Sequence, residues 1–307
     1  MHNKFFTNTI WVVFSALLCT ALWGSATPFI KTGYESLNVA GTPSIIFFAG
    51  IRFSLAGFIT VLIYSIIEGK FLFPKKNSFK YVGVISIFQT ILQYIFFYVG
   101  LANTSGVKGT ILSGSSAFFS MIVATLIFKQ EKFTVKKIIA CAIGFLGVIV
   151  VNLKGLELNL NFFGDTFVLF SAISLAFSSV LMKIYSKEEN PVVLSGYQFI
   201  IGGIVMVFLG RAFGGTISFD SAKGVGILIY LAFLSAVAYA LWGMLLKYNP
   251  VSKVTVFSFM TPVFGVILSK LMLTETSNVS VVNVLVALAL ICIGIFMLNY
   301  QKQDKKS

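Results

Sequence analysis

Charged side chains are scarce in this sequence of 307 residues, since Asp, Glu, Lys and Arg together make up 11% of it. Soluble domains carry about 25%, so this chain has too few charges to cover a water-soluble globule. Hydrophobic residues make up 57% of the chain, and the mean hydropathy is +0.94. The composition therefore predicts an integral membrane protein. In such a protein the net charge of +13 reports membrane orientation rather than nucleic-acid binding, and we expect no nucleic-acid partner.

Cysteine and histidine are also scarce, and this excludes several kinds of site. Cys19, Cys141 and Cys292 lie within apolar runs, where thiols behave as small hydrophobic groups. The sequence contains no Cys-x-x-Cys pair, and its only histidine is His2. It therefore predicts neither a disulfide framework nor a structural zinc site. We expect no metal and no other cofactor.

Catalytic groups are missing from the apolar part of the chain. The ten acidic residues fall in loops, in tails or at the ends of apolar segments, so no carboxylate pair is available there for acid–base chemistry. No nucleophile has a histidine base, and the sequence has no Gly-rich phosphate-binding loop of the P-loop type. We therefore predict that the protein is not an enzyme and does not drive transport with ATP.

Long apolar segments dominate the sequence. A hydrocarbon core of about 30 Å needs roughly 20 helical residues, and ten segments are long enough. The connections between them are short, so we predict an all-α integral membrane protein of ten transmembrane helices. We expect the first segment to be retained rather than removed as a signal peptide. The segments are approximately residues 10–31, 43–67, 80–101, 107–128, 135–153, 163–184, 191–212, 224–246, 252–273 and 279–300.

Basic residues are unevenly distributed over the two sides that these segments define. With the N-terminus in the cytoplasm, sixteen of the 23 basic residues fall in cytoplasmic loops and tails and six on the outer side, while Arg52 lies within a segment. Cytoplasmic loops are the ones enriched in Lys and Arg. The distribution therefore predicts a multi-pass protein of the cell membrane with both termini in the cytoplasm.

The two halves of the sequence resemble each other. The stretch from Lys108 to Leu126 returns as Lys253 to Leu271, with a constant shift of 145 residues. Self-similarity over this length indicates two copies of one membrane unit, which we place at residues 1–155 and 156–307. Each copy has five segments, an odd number, so the second copy must enter the membrane from the opposite face. The prediction is a pair of inverted five-helix repeats.

Short motifs in both halves carry a resemblance to a known family. Going along the chain, they are Trp23-Gly24-Ser25, Arg52-Phe53, Gly144 with Gly147, and Thr261-Pro262 followed by Glu275. In this order the chain resembles the ten-helix, EamA-type branch of the drug/metabolite transporter superfamily over nearly its whole length. The resemblance implies a five-plus-five inverted repeat and export or exchange of small metabolites such as amino acids or drugs. Ala117 stands where the family tends to have proline, so the resemblance leaves open whether the fourth segment is kinked.

Polar and aromatic side chains recur at helical spacing within the apolar segments. Gln89 and Gln93 are predicted to share one helix face, and two amides in hydrocarbon need partners or a watery cavity. Rows of small hydroxyl residues occur as well, although such rows also let helices pack closely. Aromatic residues in a span either anchor it at the membrane interface or wall a pocket. We predict that the solute binds through Trp23, Gln89, Gln93, Tyr94, Ser113, Ser116, Tyr239, Trp242 and Thr261.

Correspondence between the two copies supports this set. Tyr94 corresponds to Tyr239 and Ser116 to Thr261, so these faces should meet near the middle of the membrane. We expect a central cavity lined by segments 1, 3, 4, 6, 8 and 9, an assignment that follows partly from the resemblance. A wall of neutral donors, acceptors and rings suits an amphipathic or zwitterionic solute.

Arg52 is the one formal charge well inside a segment, and Gln198 takes its place in the second copy. An intramembrane charge is by default a functional candidate. The alternative is a brace that bonds carbonyl groups of a neighbouring helix, and the resemblance favours this role. Pro28 and Pro262 should each free a backbone carbonyl and bend their helix, which suits gating elements, though kinks also occur without a functional role.

The sequence thus predicts a secondary transporter, an exporter or exchanger, that moves a small organic solute by alternating access. Its partners are the solute and the lipid bilayer, while the solute's identity and the oligomeric state stay open. A membrane-embedded enzyme or a lipid-handling protein is the main alternative, and a channel is a third. Proton-coupled carriers commonly use a carboxylate at membrane depth. Only Asp165 and Glu275 approach such a position, so we expect facilitated diffusion or solute exchange.

Overall fold

The chain is all-helical in the computed structural model, which describes residues 2–153, 161–272 and 280–299. A short helix, His2–Thr7, precedes ten longer helices in this part of the chain, and each predicted segment contains one of them. Glu275 lies outside the described residues. The longer helices are α1 Thr9–Ser36, α2 Gly41–Ile67, α3 Lys76–Leu101, α4 Gly106–Ile127, α5 Val135–Val151, α6 Phe162–Tyr185, α7 Pro191–Ala212, α8 Ala222–Tyr248, α9 Val251–Met272 and α10 Val281–Asn299.

Nine of these helices, counted over the described residues alone, are long and apolar enough to cross a membrane. The remaining helix, α5, has 17 residues and ends before Asn152. Large apolar side chains cover the outside of the bundle, where Ile66, Phe162 and Phe208 are each more than 70% exposed. Such a surface belongs in lipid rather than in water. The molecule is therefore a multi-pass, all-helical membrane protein.

Five of the helices begin at a side chain that accepts a hydrogen bond from the first helical turn. Short polar residues at this position satisfy N–H groups that have no partner inside the helix. At α7 the capping residue is followed by Pro191, whose fixed backbone angle suits the first helical position. The caps of α1, α4, α6, α7 and α8 are Asn8, Ser105, Asn161, Asn190 and Ser221.

Helix α4 is interrupted although it lacks a proline. Its first α-helical part ends at Gly114, and the second begins at Ser116. Between them, the Ser115 hydroxyl donates to the carbonyl of Leu112 at 2.5 Å. Hydroxyl groups that bond back to their own helix disturb its geometry. The sequence left open whether this helix is kinked, and the structure shows an interruption that needs no proline.

Helix α9 is irregular at the corresponding place. Residues Val256–Phe259 form a 3₁₀ turn just before Pro262, and the Ser258 hydroxyl donates to the carbonyl of Thr255 at 2.7 Å. Helix α1, in contrast, continues through Pro28. Helices α4 and α9, which correspond between the two halves, are therefore both interrupted near matching positions.

Helices α2 and α7 pack closely through glycines that correspond between the two halves. A Cβ atom added to Gly50 would lie 2.9 Å from the carbonyl oxygen of Gly203, and one added to Gly57 would lie 2.5 Å from that of Gly196. A shift of 146 residues carries Gly50 onto Gly196 and Gly57 onto Gly203. Each contact therefore maps onto the other, and glycine is what allows the backbones to come this close.

Helices α5 and α10 show the same reciprocal packing. A Cβ atom added to Gly147 would lie 2.8 Å from the carbonyl oxygen of Ala287, and one added to Gly294 would lie 2.6 Å from that of Ala140. A shift of 147 residues exchanges these two contacts. Both helix pairs thus relate the halves of the chain in the way that a duplicated unit produces.

Candidate functional site: a central cavity

A cavity of about 620 Å³ lies between helices of both halves of the chain. Cavities of about 300 to 1,000 Å³ are typical of sites for small organic ligands. Helices α1, α3, α4, α6, α8 and α9 line the cavity, as the sequence analysis expected. Helix α2 was not predicted to line the cavity, but it contributes Ile45 and Arg52. The omission arose because Arg52, the one charge of α2, was interpreted mainly as a brace.

The structure brings most of the predicted site residues together on the cavity wall. Gln93 is the exception among the nine predicted solute contacts, since it does not line the cavity. Of the residues predicted to have structural or gating roles, Arg52 and Pro262 line the cavity, whereas Pro28 and Gln198 do not. The eight predicted contacts on the wall are Trp23, Gln89, Tyr94, Ser113, Ser116, Tyr239, Trp242 and Thr261.

Two tyrosines that correspond between the halves meet at the cavity wall. The hydroxyl groups of Tyr94 and Tyr239 lie 2.7 Å apart and share a hydrogen bond. The Trp23 ring packs against Tyr239 and Trp242, with centroid distances of 5.1 and 4.9 Å. Rings arranged in this way provide a wide apolar surface with a few polar handles. The centre of the site is therefore aromatic, and it lies where the two halves meet.

Some buried polar atoms near the cavity have no hydrogen-bond partner in the described part of the chain. They include the amide oxygen of Gln89 and the indole nitrogen of Trp23, both from residues that line the cavity. The amide oxygen of Gln93 is also unpaired, although Gln93 lies away from the wall. Buried polar groups are normally paired. These two atoms are themselves buried, although their side chains line the cavity, so a solute could reach them only after neighbouring side chains move.

Hydroxyl residues of α4 and α9 line the same cavity. Ser113 donates to the carbonyl of Gly109 at 2.7 Å, and Ser258 bonds back to its own helix in the same way. In both residues the hydroxyl hydrogen is used within the helix, while the oxygen remains able to accept another hydrogen bond. Ser116 and Thr261 continue the two rows along the wall. These rows can therefore accept hydrogen bonds from donor groups of a solute.

Arg52 braces α8 and lines the cavity at the same time. It is buried, with 4% of its surface exposed, and its Nε donates to the carbonyl of Leu231 at 3.3 Å. Its Nη2 donates to the Ser235 hydroxyl at 2.9 Å. The second half repeats this contact, since Thr90 donates to Oε1 of Gln198 at 2.6 Å. Shifts of 145 and 146 residues relate Thr90 to Ser235 and Arg52 to Gln198.

The cavity reaches the surface at one end of the bundle. Lys31, Ala102 and Gly106 line this end and are exposed. At the other end the lining residues Met182 and Leu246 are buried. The site is therefore accessible from one side of the protein and closed on the other.

A polar layer lies beyond the closed end. Lys183 Nζ donates to the carbonyl groups of Leu246 and Asn249 at 3.1 and 2.6 Å, which ties the ends of α6 and α8 together. The Glu131 carboxylate accepts hydrogen bonds from both the backbone N–H and the hydroxyl of Ser252. This second contact ties the loop after α4 to the start of α9. Charge-assisted bonds of this kind are stronger than neutral ones, so they hold the end shut.

The structure also adds lining residues that the sequence analysis missed. Tyr98 lies one helical turn after Tyr94, and helical spacing was a signal that could have found it. Tyr34 and Lys31 lie near the end of α1, and nothing in the local sequence distinguishes them from interfacial residues. Met182 gave no signal either, because a methionine in an apolar helix is ordinary core.

Comparison with known proteins agrees with this arrangement. The EamA-like transporter family matches the chain twice, over residues 10–153 and 162–300. An uncharacterized transporter from Archaeoglobus fulgidus is 26% identical to this chain, and the match covers 86% of this chain and 90% of the relative. The uncharacterized transporter YyaM from Bacillus subtilis is 28% identical, with coverages of 72% and 74%. A chloroplastic WAT1-related protein from Arabidopsis thaliana is 24% identical, with coverages of 91% and 67%.

A solved crystal structure has the same fold. Its TM-score to this chain is 0.74, and the match covers 93% of this chain and 97% of that one at 13% identity. At this identity the likeness shows the fold alone. The family matches, in contrast, cover most of the sequence and fall on its two halves. The chain therefore belongs to the EamA-like transporter family and is a transporter rather than an enzyme.

Proposed function

We propose that this protein is a secondary transporter that moves a small organic solute, such as an amino acid or a drug-like amphipathic molecule, by alternating access. The observation that carries the proposal is the cavity between the two halves, which is open at one end and closed at the other. A carrier needs such a site because it exposes the solute to one side of the membrane at a time. We propose that it works as an exporter or an exchanger.

We further propose that the chain is built from two inverted five-helix repeats, divided near residue 155. The reciprocal packing of α2 with α7 and of α5 with α10 supports this, as does the hydrogen bond between the corresponding Tyr94 and Tyr239. Helix α5 counts as the tenth span in this proposal. Its 17 residues are at the lower limit of the length that crosses a bilayer.

The open end of the cavity faces outwards in this proposal. We place the protein in the cell membrane with both termini in the cytoplasm. The end of α1 and the start of α4 then lie outside the cell. Cysteines at Lys75 and Lys132 should then react with an impermeant reagent only from the cytoplasm. A cysteine at Lys154, which lies outside the described residues, should react only from outside. Labelling of Lys75 and Lys154 positions from the same side would contradict the inverted topology.

Coupling to protons has little support at the described acids. Asp165 accepts hydrogen bonds from Lys108 at 2.7 Å and from Thr104 at 2.6 Å, so its carboxylate is already engaged. Glu275 lies outside the described residues. We propose facilitated diffusion or solute exchange. Uphill accumulation in liposomes driven by an imposed pH gradient, and lost in Glu275→Gln, would contradict this mode.

Solute recognition is proposed to use the eight predicted contacts on the cavity wall, without Gln93. Gln89 and Gln93 form a matched pair, because both amide oxygens lack a partner among the described residues but only Gln89 lines the cavity. Gln89→Leu should lower transport about tenfold through the loss of a buried hydrogen bond. Gln93→Leu should lower transport less, because Gln93 lies off the wall and touches the site through its hydrogen bond to Tyr239.

The test is a thermal-shift screen of the purified protein against amphipathic metabolites, followed by flux measurements in liposomes with each hit. A carrier gives flux that saturates with solute concentration. Flux that rises linearly without saturation would favour a channel instead. Equal loss of flux in folded Gln89→Leu and Gln93→Leu proteins would contradict the proposed contact set.

A further inference from the structure

Charge on the cavity wall is of one sign. Arg52 and Lys31 line the cavity, while no Asp or Glu is found among the described residues that do so. Lys31 lies at the open, exposed end, whereas Arg52 is buried deep in the bundle. Arg52 also forms no ion pair with a carboxylate in the described ranges. The cavity therefore carries a buried positive charge that these parts of the protein do not neutralise.

The hydrogen bonds of Arg52 leave much of its guanidinium group available. A guanidinium has five N–H donors. One on Nε serves Leu231 and Ser235, and one on Nη2 serves Ser235. The other donors have no acceptor within the described residues. A buried cation in this condition is costly unless a partner of opposite charge is supplied.

Bracing of the fold does not require this charge. At the corresponding position in the other half, the neutral amide of Gln198 accepts a hydrogen bond from Thr90. Gln198 is fully buried and lies off the cavity wall, whereas Arg52 lies on it. The copy that contacts the cavity is thus the one that carries the charge. A structural role accounts for the contact with Ser235 but not for the positive charge.

An aromatic surface lies directly beside the cation. The Arg52 guanidinium carbon is 5.1 Å from the centre of the Phe53 ring, and the Phe53 ring packs on Tyr94 at 4.3 Å. Tyr94 in turn bonds to Tyr239, which contacts Trp23. A molecule with a charged head at Arg52 therefore has rings available for its apolar body.

We propose that Arg52 binds the carboxylate of an amphipathic organic anion, so that the preferred solutes are aromatic or aliphatic monocarboxylates. This inference rests on the proposed transport function and specifies the solute class of the same cavity. The planar donor fork of arginine matches the two oxygens of a carboxylate. A zwitterion should bind less well, because no described lining residue offers a carboxylate to its ammonium group. An amine should bind least.

The test compares probes that share a phenyl ring and carry polar groups of different charge. Phenylacetate, phenylacetamide, phenylalanine and phenethylamine are titrated into the purified protein at neutral pH, with tryptophan fluorescence as the readout. Trp23 and Trp242 on the cavity wall supply the signal. We expect phenylacetate to bind at least about tenfold more tightly than phenylacetamide, as a charge-assisted hydrogen bond predicts.

Three variants separate charge from bracing. Arg52→Gln copies the residue found at the corresponding position and should keep the fold, while phenylacetate falls to the affinity of phenylacetamide. Arg52→Lys retains the charge and should retain part of the preference. Ser235→Ala removes the bracing contact, leaves the charge in place and should keep the preference while lowering thermal stability.

Several outcomes would overturn the inference. They are equal binding of phenylacetate and phenylacetamide by the unmodified protein, binding of none of the probes, or an unchanged preference in Arg52→Gln. The unmodified protein alone provides the first comparison, so the test does not depend on the folding of a variant. Arg52-dependent binding of phenylacetate without flux in liposomes would support the inference and contradict the transport proposal. Saturable flux of phenylacetamide equal to that of phenylacetate would do the reverse.

Discussion

Replacement of Glu131 with glutamine is predicted to open the closed end of the cavity more often. The Glu131 side chain is 6% exposed, bonds to Ser252 and pairs with Lys137 at 2.8 Å. Its charge also attracts Lys183 and Lys253. Glutamine keeps the shape but loses the charge-assisted bonds, at a cost of about 2 kcal/mol. If these bonds exist only while the end is closed, the population of the opposite state rises about 30-fold.

The measurement is the labelling rate of a cysteine placed at Thr255, a lining residue that is 4% exposed near the start of α9. An impermeant maleimide added from the cytoplasmic side should react up to about 30-fold faster in Glu131→Gln. The exposed Cys292 is replaced with serine in all variants. Glu68→Gln is the matched control, because Glu68 is 36% exposed and its ion pair with Lys70 spans 3.7 Å. Such exposed pairs contribute little, so labelling in Glu68→Gln should match that of the parent. Unchanged labelling in Glu131→Gln, or equal acceleration in Glu68→Gln, would refute the reasoning.

Two further predictions concern stability. Gly57→Ala should destabilise the protein by about 1–3 kcal/mol, because the new Cβ would lie 2.5 Å from a backbone oxygen of α7. The Cβ atom added in Gly83→Ala would meet no neighbour within 4 Å, so this variant should stabilise the protein slightly. Equal melting temperatures of the two variants would contradict this. Burial by itself raises the pKa of Glu189, but hydrogen bonds from backbone N–H groups such as that of Lys75 outweigh it and hold the pKa below its ordinary value. Its stabilising contribution is therefore complete above the unfolded pKa of about 4.5 and is lost as the pH falls through the lowered folded pKa. Glu189→Gln should flatten the acid side of the pH–stability profile, and an unchanged profile would show that the carboxylate contributes nothing.

Much of the architecture was predictable because it depends on order along the chain. Low charge and long apolar segments determine a membrane protein, since backbone groups in lipid must be satisfied within helices. Self-similarity with a shift of 145 residues determines which residues correspond, and the pair Tyr94 and Tyr239 indeed lies in contact. Eight predicted solute contacts line one cavity, which agrees with the correspondence between the two halves. Their role in binding stays a prediction.

Only the tertiary structure decided which side of each helix meets the cavity. Gln89 and Gln93 share a face in a regular α-helix, but residues Ser86–Leu92 are π-helical, and Tyr94 rather than Gln93 lies on the wall with Gln89. Arg52 reaches the cavity because glycines beside it in α2 hold this helix against α7, which is distant in sequence. Sequence periodicity assumes uniform helices and contains no information about contacts between distant segments. The rotation of each helix, and with it the charge of the cavity wall, is therefore determined by packing.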